Sequence, residues 1–139
     1  MSPQNVEIVR SIYEAVARRD VRTPFRHYAD DIAWDPSRAA TAGLGLKTVY
    51  HGHEGVRDHW REGLSVFREI NLDVRDLVDA GDQVLAVVRE HHLGRASGAP
   101  VEAMHYAVWT LAGGKATRMR IFDDRDEAEA AAGLAGDGA

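Results

Sequence analysis

Hydrophobic and polar residues alternate in two distinct rhythms along this chain. From residue 4 to 19 the rhythm is helical. Val6, Val9, Ile12, Tyr13 and Val16 recur at spacings of three and four, with Arg10, Glu14 and Arg18 between them. Ser2 or Asn5 is placed to cap this helix, and Pro3 suits its first turn. "RRDVRTP" breaks the pattern, and a short second helix is predicted over about 22 to 29, carrying Phe25 and Tyr28 inward. "DDIAWDP" reads as a short strand stopped by Pro36. Residues 37 to 52 show no period and are expected to form a long loop, of the kind that walls a site. A third helix follows over about 53 to 67, with Val56, Trp60, Leu64 and Phe67 as its apolar stripe.

Beyond residue 70 the rhythm changes to a period of two. "INLDVRDLV", "QVLAVVREHHLG", "VEAMHYAVWTL" and "ATRMRIF" read as strands, separated by the turn signals "DAGD", "RASGAP" and "AGGK". The tail from about 124 to 133 has a helix-forming composition. Helices first and antiparallel strands afterwards predict an α+β fold with helices packed on one face of a curved sheet.

Composition narrows the function classes. With 139 residues, a single domain spanning 1–139 is expected, its last part, about 125–139, being a helix and tail. The chain has no cysteine, which removes disulfides and thiolate-bound zinc. A net charge of -5, with no basic cluster, argues against nucleic acid as a partner. No apolar run approaches the roughly 20 residues that span a bilayer. The start lacks the basic and apolar regions of a signal peptide, so a cytoplasmic protein without a membrane partner is expected.

The order of elements, together with "IYEAVARRD", "HYADDIAWDP", "YHGHEGVRDHW", "VWTLAGGKATRMRIFDDRDEA" and "AAGL", resembles the ketosteroid-isomerase and nuclear-transport-factor-2-like superfamily. Within it, the chain looks most like the SnoaL-like, polyketide-cyclase-like branch. The resemblance covers almost the whole chain and is specific for the fold, not for a reaction. It implies a cone, in which a bent antiparallel sheet wraps an apolar pocket closed by the N-terminal helices. It also implies a homodimer paired through the outer face of the sheet.

Strand parity then sorts candidate pocket residues. Trp109 and Leu111 are taken as inward, with His105 and Ala107, and on the last strand Met119, Ile121 and Asp123 join them. On the strand from 83 to 93 both faces of the first half are apolar. Similarity to the isomerases favours its odd set, which would bring Arg89 and His91 into the pocket and leave Val84, Ala86, Val88, Glu90 and His92 outside. An outward strip of Val84, Ala86 and Val88 would suit a dimer interface.

Asp35 is the leading catalytic candidate. By resemblance it matches the isomerases' Asp-Pro general base if one residue is missing from the strand, and an apolar cone would raise its pKa. A strand-end aspartate turning with Pro36 and Ser37 explains the same residue. His91 and His105 are candidate acid/base groups because imidazole titrates near neutrality. Arg89 is a candidate donor to an enolate oxygen, with an ion pair to Glu102 as the other reading. Tyr13 lies one residue from the isomerases' oxyanion tyrosine, and core packing also accounts for it. Trp34, Trp60 and Trp109 are candidate stacking surfaces for a ligand, and equally core residues. Asp123 is either a second pocket carboxylate or part of a helix cap.

The usual second aspartate of the isomerases falls on Ala107, and the last-strand aspartate of the epoxide-hydrolase members falls near Arg120. Neither reaction is supported residue for residue. His51, His53 and His59 have no clear carboxylate partner and read as surface residues, so neither metal nor cofactor is expected. Two functions remain open. One is an acid/base enzyme of isomerase, cyclase or dehydratase type acting on a small hydrophobic carbonyl compound. The other is a non-catalytic module that binds such a molecule.

Overall fold

The computed structural model describes residues 1–39 and 49–134. Helix α1 spans Pro3–Ala17, with the Ser2 side chain accepting from the Asn5 amide at 3.3 Å and Pro3 in the first turn. Its buried face holds Val9, Ile12 and Tyr13 of the predicted stripe and adds Ala15, while Val6 and Val16 are partly buried. Helix α2 is a single turn, Thr23–Arg26. Tyr28 therefore opens a strand instead of closing a helix.

That strand, β1, runs Tyr28–Arg38 straight through Pro36. Its register against the neighbouring strand shifts between Asp35 and Arg38, so the missing Pro36 N–H falls where the ladder is already irregular. The other neighbour, β2 (Tyr50–His51), pairs only at Ala33 and Trp34. Of the loop expected over 37–52, its first two residues belong to β1 and its last three to β2 and the next helix. The wall proposed for residues 40–48 lies outside the described residues.

Helix α3 spans Gly52–Val66. It is followed by β3 (Phe67–Ala80), β4 (Gln83–Gly94), β5 (Pro100–Ala112) and β6 (Lys115–Phe122), and by helix α4 (Arg125–Ala131) capped by Asp124. The β5–β6 hairpin turns on Gly113 and Gly114, both with positive φ (57° and 80°), which a two-residue loop of this hand requires.

Among the described residues the sheet has six strands in the order β2-β1-β6-β5-β4-β3. It is mixed, because β1 runs parallel to β6 while the other pairs are antiparallel. The expectation of an antiparallel sheet throughout is corrected at that one seam. A crossover through α3 and β3–β5 separates β1 from β6 in sequence, which is what parallel pairing needs.

The sheet has two apolar faces. The concave one, with α1 and α3 over it, buries Val9, Ile12, Trp34, Val56, Val84, Val88, Trp109 and Met119. The convex one buries Leu85, Val108 and Phe122 beneath Ala128 and Ala132 of the C-terminal helix and the turn after it. Among the described residues no helix is long and apolar enough to cross a membrane.

Candidate active site

Which face each residue of β4 takes is decided by its pairing with β5. Val84 lies opposite Trp109, Ala86 opposite Ala107 and Val88 opposite His105. Directly paired residues share a face. Each pair adds to an odd number, so the even set of β4 faces the concave side with the odd set of β5. The expected parity is therefore reversed on β4. Val84, Ala86 and Val88 are core residues, not an outward dimer strip. Glu90 and His92 line the cavity. Arg89 and His91 lie on the convex face, where the Arg89 guanidinium is half exposed and donates to the Glu102 carboxylate.

Asp35 is also outside the cone. Its neighbours Trp34 and Pro36 line the cavity, and strand alternation turns Asp35 away. Its Oδ1 accepts from the Ser37 amide at 2.9 Å, the local turn allowed for in the sequence. Asp123 lies exposed beyond the end of β6, its amide donating to the Arg38 carbonyl at 3.1 Å. The neighbouring Asp124 is the helix cap.

The other predicted residues do converge. Tyr13, Trp34, Trp60, His105, Trp109 and Met119 all line one cavity of about 90 Å³ between the helices and the concave face. Trp109 is its aromatic floor, stacked with Tyr28 at 6.2 Å and edge-on to Trp34 at 5.6 Å and Tyr13 at 5.8 Å.

Its polar groups form a chain. The Asn71 amide donates to His92 Nδ1 at 3.1 Å, so the proton of a neutral His92 is on Nε2. That nitrogen donates to Glu90 Oε1 at 2.7 Å. The other carboxylate oxygen, Oε2, lies 2.6 Å from His105 Nδ1. Burial pushes the Glu90 carboxyl up, but the hydrogen bonds from His105 and His92 outweigh it and hold its pKa at about 2. Ionised, Glu90 only accepts, so His105 Nδ1 carries the hydrogen. The Nε2 of a neutral His105 then has a free lone pair, and among the described residues it has no hydrogen-bond partner. A carboxylate that orients and supports an imidazole in this way is the arrangement of a general base.

Two neutral donors share the cavity. The Tyr13 oxygen accepts from Trp109 Nε1 at 3.2 Å, leaving its own hydrogen available, and burial pushes its pKa far above the ordinary phenol range. Burial drives the His59 imidazole down to about 4. His59 Nδ1 accepts from Trp34 Nε1 at 2.9 Å, so its hydrogen is on Nε2. His59 is thus a cavity residue and not the surface histidine expected. His53 is directed elsewhere, with Nε2 3.2 Å from the Tyr28 carbonyl.

Sequence reasoning missed Glu90, His92 and His59. For the first two, the signal was the turn between β4 and β5. A hairpin closed at the two ends of "RASGAP", with 94 opposite 101, sums to an odd number, the same parity as the observed pairing of Leu93 with Pro100. For His59, the signal was its place three residues after Val56, on the same helical face.

The chain matches the SnoaL-like domain over residues 9–119. Among solved structures it is similar to TerC co-crystallised with polyporic acid, with a TM-score of 0.78, 23% identity, 87% of this chain covered and 92% of that one. An NTF2-like protein of unknown function from Burkholderia pseudomallei superposes with a TM-score of 0.79 at 24% identity, over 94% and 97% of the two chains. An NTF2-like protein from Burkholderia thailandensis does so with a TM-score of 0.77 at 27% identity, over 89% and 92%. No curated protein matches. The match over most of the sequence, the six-stranded curved sheet and the cavity beneath its helices lead to one assignment: the chain belongs to the SnoaL-like domain family.

Proposed function

We propose that the protein is an acid/base enzyme acting on a small hydrophobic carbonyl compound, with His105 as the group that moves the proton. The observation that carries this reading is the Glu90–His105 pair at 2.6 Å, with His105 Nε2 left open on an apolar cavity. His105 Nε2 takes a proton from the carbon next to the carbonyl. The electron pair moves into the carbonyl oxygen, where Tyr13 O–H and His59 Nε2–H are the available donors. The imidazolium, stabilised by Glu90, then returns the proton to the enolate. Return to a different carbon makes an isomerase. Attack of the enolate on a second carbonyl, followed by proton transfer to the new alkoxide, makes a cyclase.

A binding module would be expected to satisfy its pocket groups internally. His92 and Glu90 do so, but among the described residues His105 Nε2 and the Tyr13 hydrogen do not, and this favours the enzyme. The family and TerC's co-crystal with polyporic acid support a small organic molecule as ligand.

Solvent deuterium uptake by a panel of cyclic ketones tests the reading. Wild type and Asp35→Asn should exchange at similar rates, and His105→Ala should lose about 10²- to 10⁴-fold. Equal rates in all three proteins would remove His105 from the mechanism.

A further inference from the structure

The inner cavity, about 90 Å³, is far below the roughly 300–1,000 Å³ of ordinary ligand pockets. It has room for the reacting end of a substrate and little else. A second hollow of about 610 Å³ adjoins it between α1, α2, α3 and β3. Val16, Tyr28, Trp60 and Ile70 line both spaces, so the rest of a substrate reaching His105 lies past Trp60 in this groove.

The groove combines two kinds of surface. Val21 and Leu64, 76% and 44% exposed, are large apolar residues left open to solvent here. Around them stand four arginines against two acids, Asp20 and Glu69. Asp20 is committed, accepting from the Arg22 and Thr23 amides and the Thr23 hydroxyl. Three of the arginines are also committed. Arg19 donates to the Ile70 carbonyl and to Asn71 Oδ1 at 2.9 and 2.7 Å. Arg57 is paired with Glu54 at 2.9 Å and Arg61 with Asp58 at 2.6 Å. Arg68 has no hydrogen-bond or ion-pair partner among the described residues. It is the unpaired residue of a bulge, since Phe67 pairs with Gly94 and Glu69 with Leu93. Bulges of this kind re-aim a side chain beside a site.

We infer that the substrate is an amphipathic anion: an apolar carbonyl compound whose distal carboxylate is held by Arg68 while its reacting carbonyl enters past Trp60. The inference rests on the acid/base reading of His105 for the direction in which the substrate lies. A guanidinium suits a carboxylate because it donates two parallel hydrogen bonds and keeps its charge.

Benzoylpropionate and its methyl ester, an aryl keto acid and its neutral twin, are suitable probes. Calorimetry at low salt should show the acid binding about tenfold tighter than the ester to wild type. Arg68→Gln should abolish that preference and Arg68→Lys should keep part of it. Added salt should weaken only the acid. His105→Ala should keep the preference while losing deuterium uptake next to the ketone. Equal binding of acid and ester, a preference that survives Arg68→Gln, or no binding of either compound would overturn the inference. Arg68-dependent binding with exchange unchanged in His105→Ala would instead refute the acid/base reading and leave the substrate class standing.

Discussion

Glu90 accepts from two imidazoles with its two oxygens, and its side chain is only 13% exposed. A carboxylate buried to that degree is tolerated because both partners donate to it. Removing it in Glu90→Ala leaves His92 Nε2 and His105 Nδ1 without acceptors. The variant should lose about 3 kcal/mol of stability by urea unfolding, together with most of any proton-exchange activity. His92→Phe should also weaken activity, by less, because His105 keeps its bond to Glu90. If Glu90→Ala unfolds at the wild-type midpoint, the carboxylate is not the anchor described. Tyr13 and His59 are neutral donors, one because burial raises its pKa and the other because burial lowers it. They fit donation to a developing oxyanion without an initial charge.

At the scale of elements, β4 carries the decisive geometry. Its even residues face the cone and its odd residues face outward or beneath α4. The two faces predict opposite outcomes for adjacent substitutions. Val88→Ala empties a fully buried site and should cost about 2 kcal/mol. Arg89→Ala removes a half-exposed side chain and its surface ion pair, and should cost less than about 1 kcal/mol. Chemical denaturation of the two variants side by side checks the assignment, and a reversed order would restore the opposite parity. On α3 the buried face runs through Val56, His59, Trp60 and Gly63, whereas Leu64 turns out to the groove. Of the predicted stripe, Val56 and Trp60 lie on this face, Leu64 drifts off it and Phe67 opens β3; a step of three from Val56 places His59 on it.

For the whole molecule, acid should act through two groups in one direction. The folded pKa of His59, about 4, is below its ordinary 6.5, so the unfolded chain binds more protons between those values and stability falls as pH drops through that window. The folded pKa of Glu90, about 2, is below its ordinary 4.5, so its contribution is present above 4.5 and is lost as pH falls from there toward 2. Each amounts to about 3 kcal/mol, at 1.36 kcal/mol per unit. Urea titrations should give an unfolding free energy that declines steadily below pH 6.5, and His59→Gln should flatten the part above pH 4. Parallel curves for the two proteins would contradict a neutral buried His59.

Read along the chain, the hydrophobic rhythm was sufficient for α1, α3 and the run β3–β6, because periods of 3.6 and 2 follow from local backbone geometry. The same rhythm, with the family motifs, placed Tyr13, Trp34, Trp60, His105, Trp109 and Met119 around one pocket, since each lies on the apolar face of its own element. Asp35 was misplaced because alternation on β1 turns it away while Trp34 and Pro36 face the cavity, a parity that a resemblance allowing one missing residue did not carry. Arg89 and His91 were misplaced for a different reason. Val84 to Val88 are apolar on both faces, one turned to the cone and one to α4 or the outer wall, so the face could not be read within the strand. Pairing across the β4–β5 turn decided it, and with it the identity of the buried carboxylate. The parallel seam between β1 and β6 was likewise invisible locally, because it joins residues some eighty positions apart. What the sequence determined was each element and its apolar side; what only the tertiary structure decided was which polar residues those sides bring within hydrogen-bond reach of one another.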